Sequence, residues 1–241
     1  MQRMKGWKLD AACDAFFSDG NRASNAAQTH ASSAKPAKPS KRIDAAKLNK
    51  LFDKYKEQDE DIIGLEGTEK LCEDLNVDPM DVVALILAFH LKCERMWLDQ
   101  AAVEYQFRED EDEEKRQTDR CETLEDMQSA CVAMRSDLDD PITFRDIYNF
   151  TFNFARQDNQ KSLALETAVA FWQLLFMDRY THIALWLEFL EDHKNSISKD
   201  TWVQFLDFTK KYPDSFDGYE DDGAWPLLID EFVEFAQEKL E

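Results

Sequence analysis

The chain has 241 residues, 44% of them hydrophobic and 33% charged, with only six Gly and six Pro. That composition suits one sizeable apolar core plus appendages, and the long helical periodicities with few turn residues predict an all-α fold. A formal net charge of −21 excludes nucleic acid and anionic membranes as partners, since both require a cationic footprint, and favours a basic protein partner.

Five cysteines, Cys13, Cys72, Cys93, Cys121 and Cys131, are odd in number and form no C-x-x-C pair. That usage argues against a disulfide framework or a zinc site and for small core residues in a reducing compartment. No base stands beside any of them in a motif that would activate a thioester-forming thiolate. No apolar run reaches membrane-spanning length and no secretory signal is recognisable, so the expected setting is the cytoplasm and/or the nucleus. His30, His90, His182 and His193 form no ligand pair, and the chain carries neither a G-x-S-x-G elbow nor a phosphate-cradling glycine loop. Neither catalytic residues nor a metal nor any other cofactor is expected.

Along the chain, residues 1–18 hold a short apolar segment with Trp7, Leu9, Ala12, Phe16 and Phe17, and residues 19–42 form a polar, Ala- and Ser-rich flexible linker. Lys35, Lys38, Lys41 and Arg42 stand among its prolines and serines, the pattern of a solvated linker rather than an import signal. From Ile43 the period is helical, with Leu48, Leu51, Phe52 and Tyr55 on one face. The following loop invites a calcium reading in which Asp59 and Asp61 fill the first ligand positions around Gly64. Ile63 and Lys70 then occupy the third and the closing bidentate positions, which leaves a helix-loop-helix without the ion.

The next helix, from Asp81 to about Cys93, is apolar nearly all round, so it is either buried on most sides or lines a groove. Between Trp97 and Asp140 the run EDEDEE at 109–114 reads as a solvated acidic loop. From Pro141 on, Phe144, Tyr148, Phe150, Phe152, Phe154, Phe171, Trp172, Trp186, Phe189, Trp202 and Phe205 should build the main core. Asp200 reads as the N-cap of a helix carrying Trp202, Phe205 and Leu206. In the last helix Pro226 fits the first position, Trp225, Leu228, Phe232 and Phe235 recur at helical spacing as the buried stripe, and Asp230, Glu231 and Glu234 project elsewhere.

Six strings in order carry a resemblance: IGLEGTEKLCEDL from Ile63, VDPMDVVALILAFHLK from Val77, FRDIYNFTFNFAR from Phe144, QKSLALETAVAFWQLLF from Gln160, SKDTW from Ser198 and GAWPLLIDEF from Gly223. Their order and spacing resemble the potentiating-neddylation domain of the defective-in-cullin-neddylation family, here residues 43–240, with a departure between Trp97 and Asp140. The resemblance implies EF-hand-like helix-loop-helix pairs without bound calcium. It also makes 1–18 similar to the last helix of a ubiquitin-associated-like domain, a remnant too short for three helices, which leaves ubiquitin a doubtful partner.

By function, the resemblance implies a monomeric, non-catalytic scaffold for cullin neddylation. Asp200, Ala224 and Asp230 would receive lysine-bearing elements of the cullin C-terminal winged-helix domain, Ala224 being small enough for backbones to approach. Thr68, Leu87, Ala88, Leu91, Phe154, Phe171 and Leu174 would line the pocket for the N-acetylated end of the neddylation conjugating enzyme, with Thr68 where an aliphatic side chain is usual. Two other classes fit parts of the sequence, a calcium-regulated EF-hand protein and a ubiquitin- or peptide-binding helical adaptor.

Overall fold

A computed structural model describes residues 45–58, 62–91, 93, 98–99, 123–157, 159–220 and 223–240. The segments 1–18 and 19–42, the candidate calcium ligands Asp59 and Asp61, the acidic run 109–114 and the Leu48 side chain lie outside the described residues. The elements in order are α1 (Ala45–Tyr55), β1 (Ile62–Ile63), α2 (Leu65–Leu75), α3 (Val82–His90), β2 (Leu98–Asp99), α4 (Leu124–Met134) running into a 3-10 turn (Arg135–Asp139), α5 (Pro141–Ala155), β3 (Ser162–Leu163), α6 (Leu165–Phe176), α7 (Ile183–Leu190), β4 (Ile197–Ser198), α8 (Lys199–Lys211) and α9 (Leu227–Leu240). The all-α prediction holds. None of these helices is long and apolar enough to cross a membrane.

Short polar side chains define the helix starts by accepting the first free backbone donors. Asp81 accepts from the Val83 N–H at 2.8 Å and Asp140 from the Thr143 N–H at 2.8 Å, with Pro141 in the first turn of α5. Thr123 and Asp126 close a reciprocal capping box at 3.2 and 3.1 Å. At α8 the sequence expectation is corrected: Ser198 is the N-cap, its Oγ accepting from the Thr201 N–H at 3.0 Å, and Asp200 lies in the first turn. A carboxylate there complements the positive end of the helix dipole without capping it.

The only strands among the described residues are two-residue pieces. β1 pairs antiparallel with β2 (Ile62 with Asp99, Ile63 with Leu98), and β3 with β4 (Ser162 with Ser198, Leu163 with Ile197). The second ribbon ties the loop between α5 and α6 to the loop between α7 and α8. At the first, Gly67 lets α1 end against α2, since a Cβ there would come within 2.0 Å of the Tyr55 carbonyl oxygen.

Two apolar clusters fill the interior. The larger joins α5 to α9, with Tyr148, Trp172, Trp186, Trp202, Phe205, Phe208 and Phe232 fully buried. The smaller gathers Phe52, Tyr55, Ile63, Leu71, Leu75, Met127 and Cys131 from α1, β1, α2 and α4. α3 is the wall they share: Val82, Leu85 and Ile86 belong to the larger cluster, and Val83 and Leu87 to the smaller. A helix buried on two sides needs apolar residues nearly all round, which is why its periodicity left its role open.

Within the larger cluster every polar group of one triad is satisfied. The Trp172 indole N–H donates to the Tyr148 hydroxyl at 2.9 Å, that hydroxyl donates to the Trp202 carbonyl at 2.7 Å, and the Trp202 indole N–H returns to the Tyr148 carbonyl at 3.0 Å. Trp202 stacks on Tyr148 at 4.6 Å and on Trp172 at 5.0 Å. α5, α6 and α8 are thereby locked in register by packing and hydrogen bonds together.

α9 departs from its predicted stripe. Phe232 is fully buried, but its companions are Ile229, Val233 and Ala236, while Trp225, Leu228 and Phe235 are half-buried at the margin. The largest side chains marked one edge of the face rather than its centre. Pro226 stands one residue ahead of Leu227, its carbonyl accepting from the Ile229 N–H at 2.8 Å.

Candidate docking site

Of the two acidic candidates, α8 carries Asp200 and α9 carries Asp230. Asp200 is exposed in the first turn, and the Gln204 side-chain amide donates to its Oδ2 at 2.8 Å. Asp207 and Lys211 are also exposed, so Asp200, Gln204, Asp207 and Lys211 form one stripe at helical spacing down the outside of α8. At the far end, Phe208 packs edge-on to Trp225 at 5.7 Å, and the Lys211 ammonium lies 5.5 Å from the Trp225 ring centroid. That contact seats the entrance of α9, with exposed Ala224 beside it and Gly223 at φ 75° turning the chain into the helix.

Asp230, in the first turn of α9, is half-buried and accepts a hydrogen bond from the Tyr219 hydroxyl. Asp200 lies about 12 Å along the helix axis from Phe208, at 1.5 Å per residue. The three predicted residues are therefore not one cluster but two ends of a line, joined by the α8 stripe. Glu231 and Glu234 extend the negative charge along the exposed side of α9. Leu227, 70% exposed at the head of α9, is an apolar side chain that the sequence reading passed over.

The pocket candidates gather around α3 and α5. Leu87 and Leu91 are buried in the smaller cluster with Ala88 half-buried against it, while Phe154 packs on both clusters. Phe154 stacks on Phe150 at 5.2 Å, and Phe150 meets Phe89 edge-on at 5.5 Å. Phe171 and Leu174, on α6, are half-buried against the larger cluster. Thr68 is half-buried on α2, and its hydroxyl donates to the Gly64 carbonyl at 2.8 Å, so its polarity is already satisfied. The structure thus brings Leu87, Ala88, Leu91 and Phe154 together at the seam between the clusters, while Phe171 and Leu174 pack against the larger cluster alone.

Side-chain clips at both ends hold α3 in place, and periodicity gave no sign of them. Asp81, at the N-cap, pairs with Arg135, and His90 Nε2 lies 2.6 Å from Asp137 Oδ2. Both partners sit on the 3-10 turn after α4. Burial pushes the Cys72 thiol up to about 11 and that of Cys131 up as well, the opposite of an activated nucleophile.

Fold and site together define an all-helical protein of the cullin-binding class, whose family description, "Cullin binding", matches residues 126–235. The match takes in α8 and the entrance of α9, and begins just inside α4. Over 98% of this chain and 87% of the relative, it is 30% identical to defective in cullin neddylation protein 1 of Mycosarcoma maydis. It is 34% identical to human DCN1-like protein 5 over 77% of this chain and 75% of that protein, and 35% identical to human DCN1-like protein 4 over 75% and 59%. The chain belongs to the defective-in-cullin-neddylation family.

Proposed function

We propose that the protein is a non-catalytic scaffold for cullin neddylation, binding a cullin C-terminal winged-helix domain along α8 and the head of α9 and the N-acetylated conjugating enzyme at the α3–α5–α6 seam. One observation carries this reading: Asp200, Ala224 and Asp230 all fall inside the matched 126–235, with Asp200 and Ala224 exposed and Asp230 half-buried in the first turn of α9. A chain of net charge −21 attracts a lysine-bearing partner and sets its register. The seam supplies half-buried aromatic and aliphatic side chains suited to an acylated, apolar helix end.

Holding both partners raises the local concentration of the loaded conjugating enzyme beside the acceptor lysine and restricts its orientations, so the rate rises without a nucleophile in this chain. Calorimetric titration with a cullin winged-helix domain tests the first step, comparing the native chain with an Asp200→Ala, Ala224→Arg, Asp230→Ala triple variant. Salt-sensitive binding that weakens about tenfold or more in the variant, with helical content unchanged, is expected. Equal binding by the variant would move the cullin surface elsewhere. Failure of the native chain to bind any cullin domain would leave the seam as a general peptide site.

A further inference from the structure

Both carboxylates of the acidic line are held by neutral donors. The Gln204 amide, one turn along α8, takes Oδ2 of Asp200 at 2.8 Å. The Tyr219 hydroxyl, from the loop between α8 and α9, takes Oδ1 of Asp230. Tyr219 is itself fixed, meeting Tyr212 at 5.4 Å and Phe208 at 6.1 Å edge-on, with its backbone N–H donating to the Phe216 carbonyl at 3.0 Å. The phenol therefore rides on the same buried aromatic cluster that seats α9, and fixes Asp230 relative to α8.

A cationic donor in either place would orient the carboxylate and also cancel its charge. A phenol or an amide orients it and leaves the charge intact. Each donor engages one oxygen, so Oδ2 of Asp230 and Oδ1 of Asp200 remain for an incoming ammonium. We propose, resting on the cullin reading of this surface, that Tyr219 and Gln204 are positioning residues that set the rotamers of Asp230 and Asp200 before the partner arrives. Binding then avoids the ordering cost of two acidic side chains.

The test is a double-mutant cycle read by binding kinetics with a cullin winged-helix domain. Tyr219→Phe keeps the ring and its packing and removes only the hydroxyl. It is expected to weaken binding roughly two- to tenfold, through faster dissociation, with the salt dependence and the melting temperature unchanged. In an Asp230→Ala background the same change is expected to add nothing. Gln204→Leu repeats the logic at the other end, with its effect vanishing in an Asp200→Ala background.

Native-like or tighter binding by Tyr219→Phe, while Asp230→Ala weakens it, overturns the proposal and leaves the cullin surface standing. A loss that persists in the Asp230→Ala background overturns it too, because Tyr219 would then act by direct contact or through the fold. Unchanged binding by both Asp200→Ala and Asp230→Ala overturns the cullin reading itself, and the positioning role with it.

Discussion

Two tyrosines, Tyr55 in the smaller cluster and Tyr148 in the larger, are both buried at the ring, 3% and 0% exposed, yet their hydroxyls do different work. Tyr148 closes a dry circuit with Trp172 and Trp202. Tyr55 reaches outward, donating to Asp74 Oδ2 at 2.7 Å, with the Lys54 ammonium 2.6 Å from the same oxygen. The α5–α9 region is thus specified by polar groups sealed inside an aromatic core. The α1–α4 region is specified by apolar packing inside and side-chain pairs at its rim: the ion pairs Lys54–Asp74 and Asp81–Arg135 and the His90–Asp137 contact. Sealed polar groups are costly to disturb and rim pairs are not, so the candidate cullin surface stands on the stiffer half.

The sharpest way to break that contrast is Trp202→Ala, which removes the ring stacked on both Tyr148 and Trp172 and the indole donor to the Tyr148 carbonyl. Urea unfolding should register a loss of about 3–5 kcal/mol, and a loss below about 1 kcal/mol would deny the stack its central place. Next in size is Tyr148→Phe, which deprives both the Trp172 N–H and the Trp202 carbonyl of a partner and should cost about 1–3 kcal/mol. Its counterpart, Tyr55→Phe, should cost under about 1 kcal/mol. Equal losses for the two tyrosine substitutions would erase the distinction between the halves.

The smallest effect is one of pH. Hydrogen bonds from Lys54 and then Tyr55 hold the Asp74 carboxyl below the usual carboxylate range. With the folded value depressed, its contribution is present above the unfolded value of about 4 and is lost as pH falls through the folded one. Across that interval the native chain should lose stability more steeply than Asp74→Asn in acid titrations followed by circular dichroism. Parallel curves would show that the triad adds nothing.

Much of the architecture was legible because local chemistry wrote it. The run from Phe144 to Phe205 identified the large core: Phe144, Tyr148, Phe152, Trp172, Trp186, Trp202 and Phe205 are all buried. Phe150, Phe154, Phe171 and Phe189 stop at its margin. Phe208, Tyr212 and Phe216 were passed over although they form the floor beneath Tyr219 and Trp225: Phe208 continues the buried face of α8 after Phe205, and Tyr212 and Phe216 carry the core past the helix end, where periodicity stops. The start of α4 was written as Thr123-Leu-Glu-Asp126, a capping-box spacing that a search restricted to apolar periodicity overlooks.

At the candidate site, residue identities came from resemblance and no periodicity could supply them. Periodicity placed Asp230 on the outer face of α9 but could not reveal that Tyr219, eleven residues earlier, bonds to it. The α3 helix shows the converse limit. Its all-round apolarity was visible, but whether it fronts a groove or divides a core depends on what lies on its second side, and that is a tertiary fact.

The tryptophans among the described residues also make the protein its own optical reporter. Trp172 and Trp202, fully buried, stacked and hydrogen-bonded, should emit at short wavelength and shift only when the core opens. Trp225, half-exposed under the Lys211 ammonium beside Ala224, sits where a partner would displace water and cation together. Fluorescence would then separate a docking event at the head of α9 from the unfolding of the domain, with no label attached.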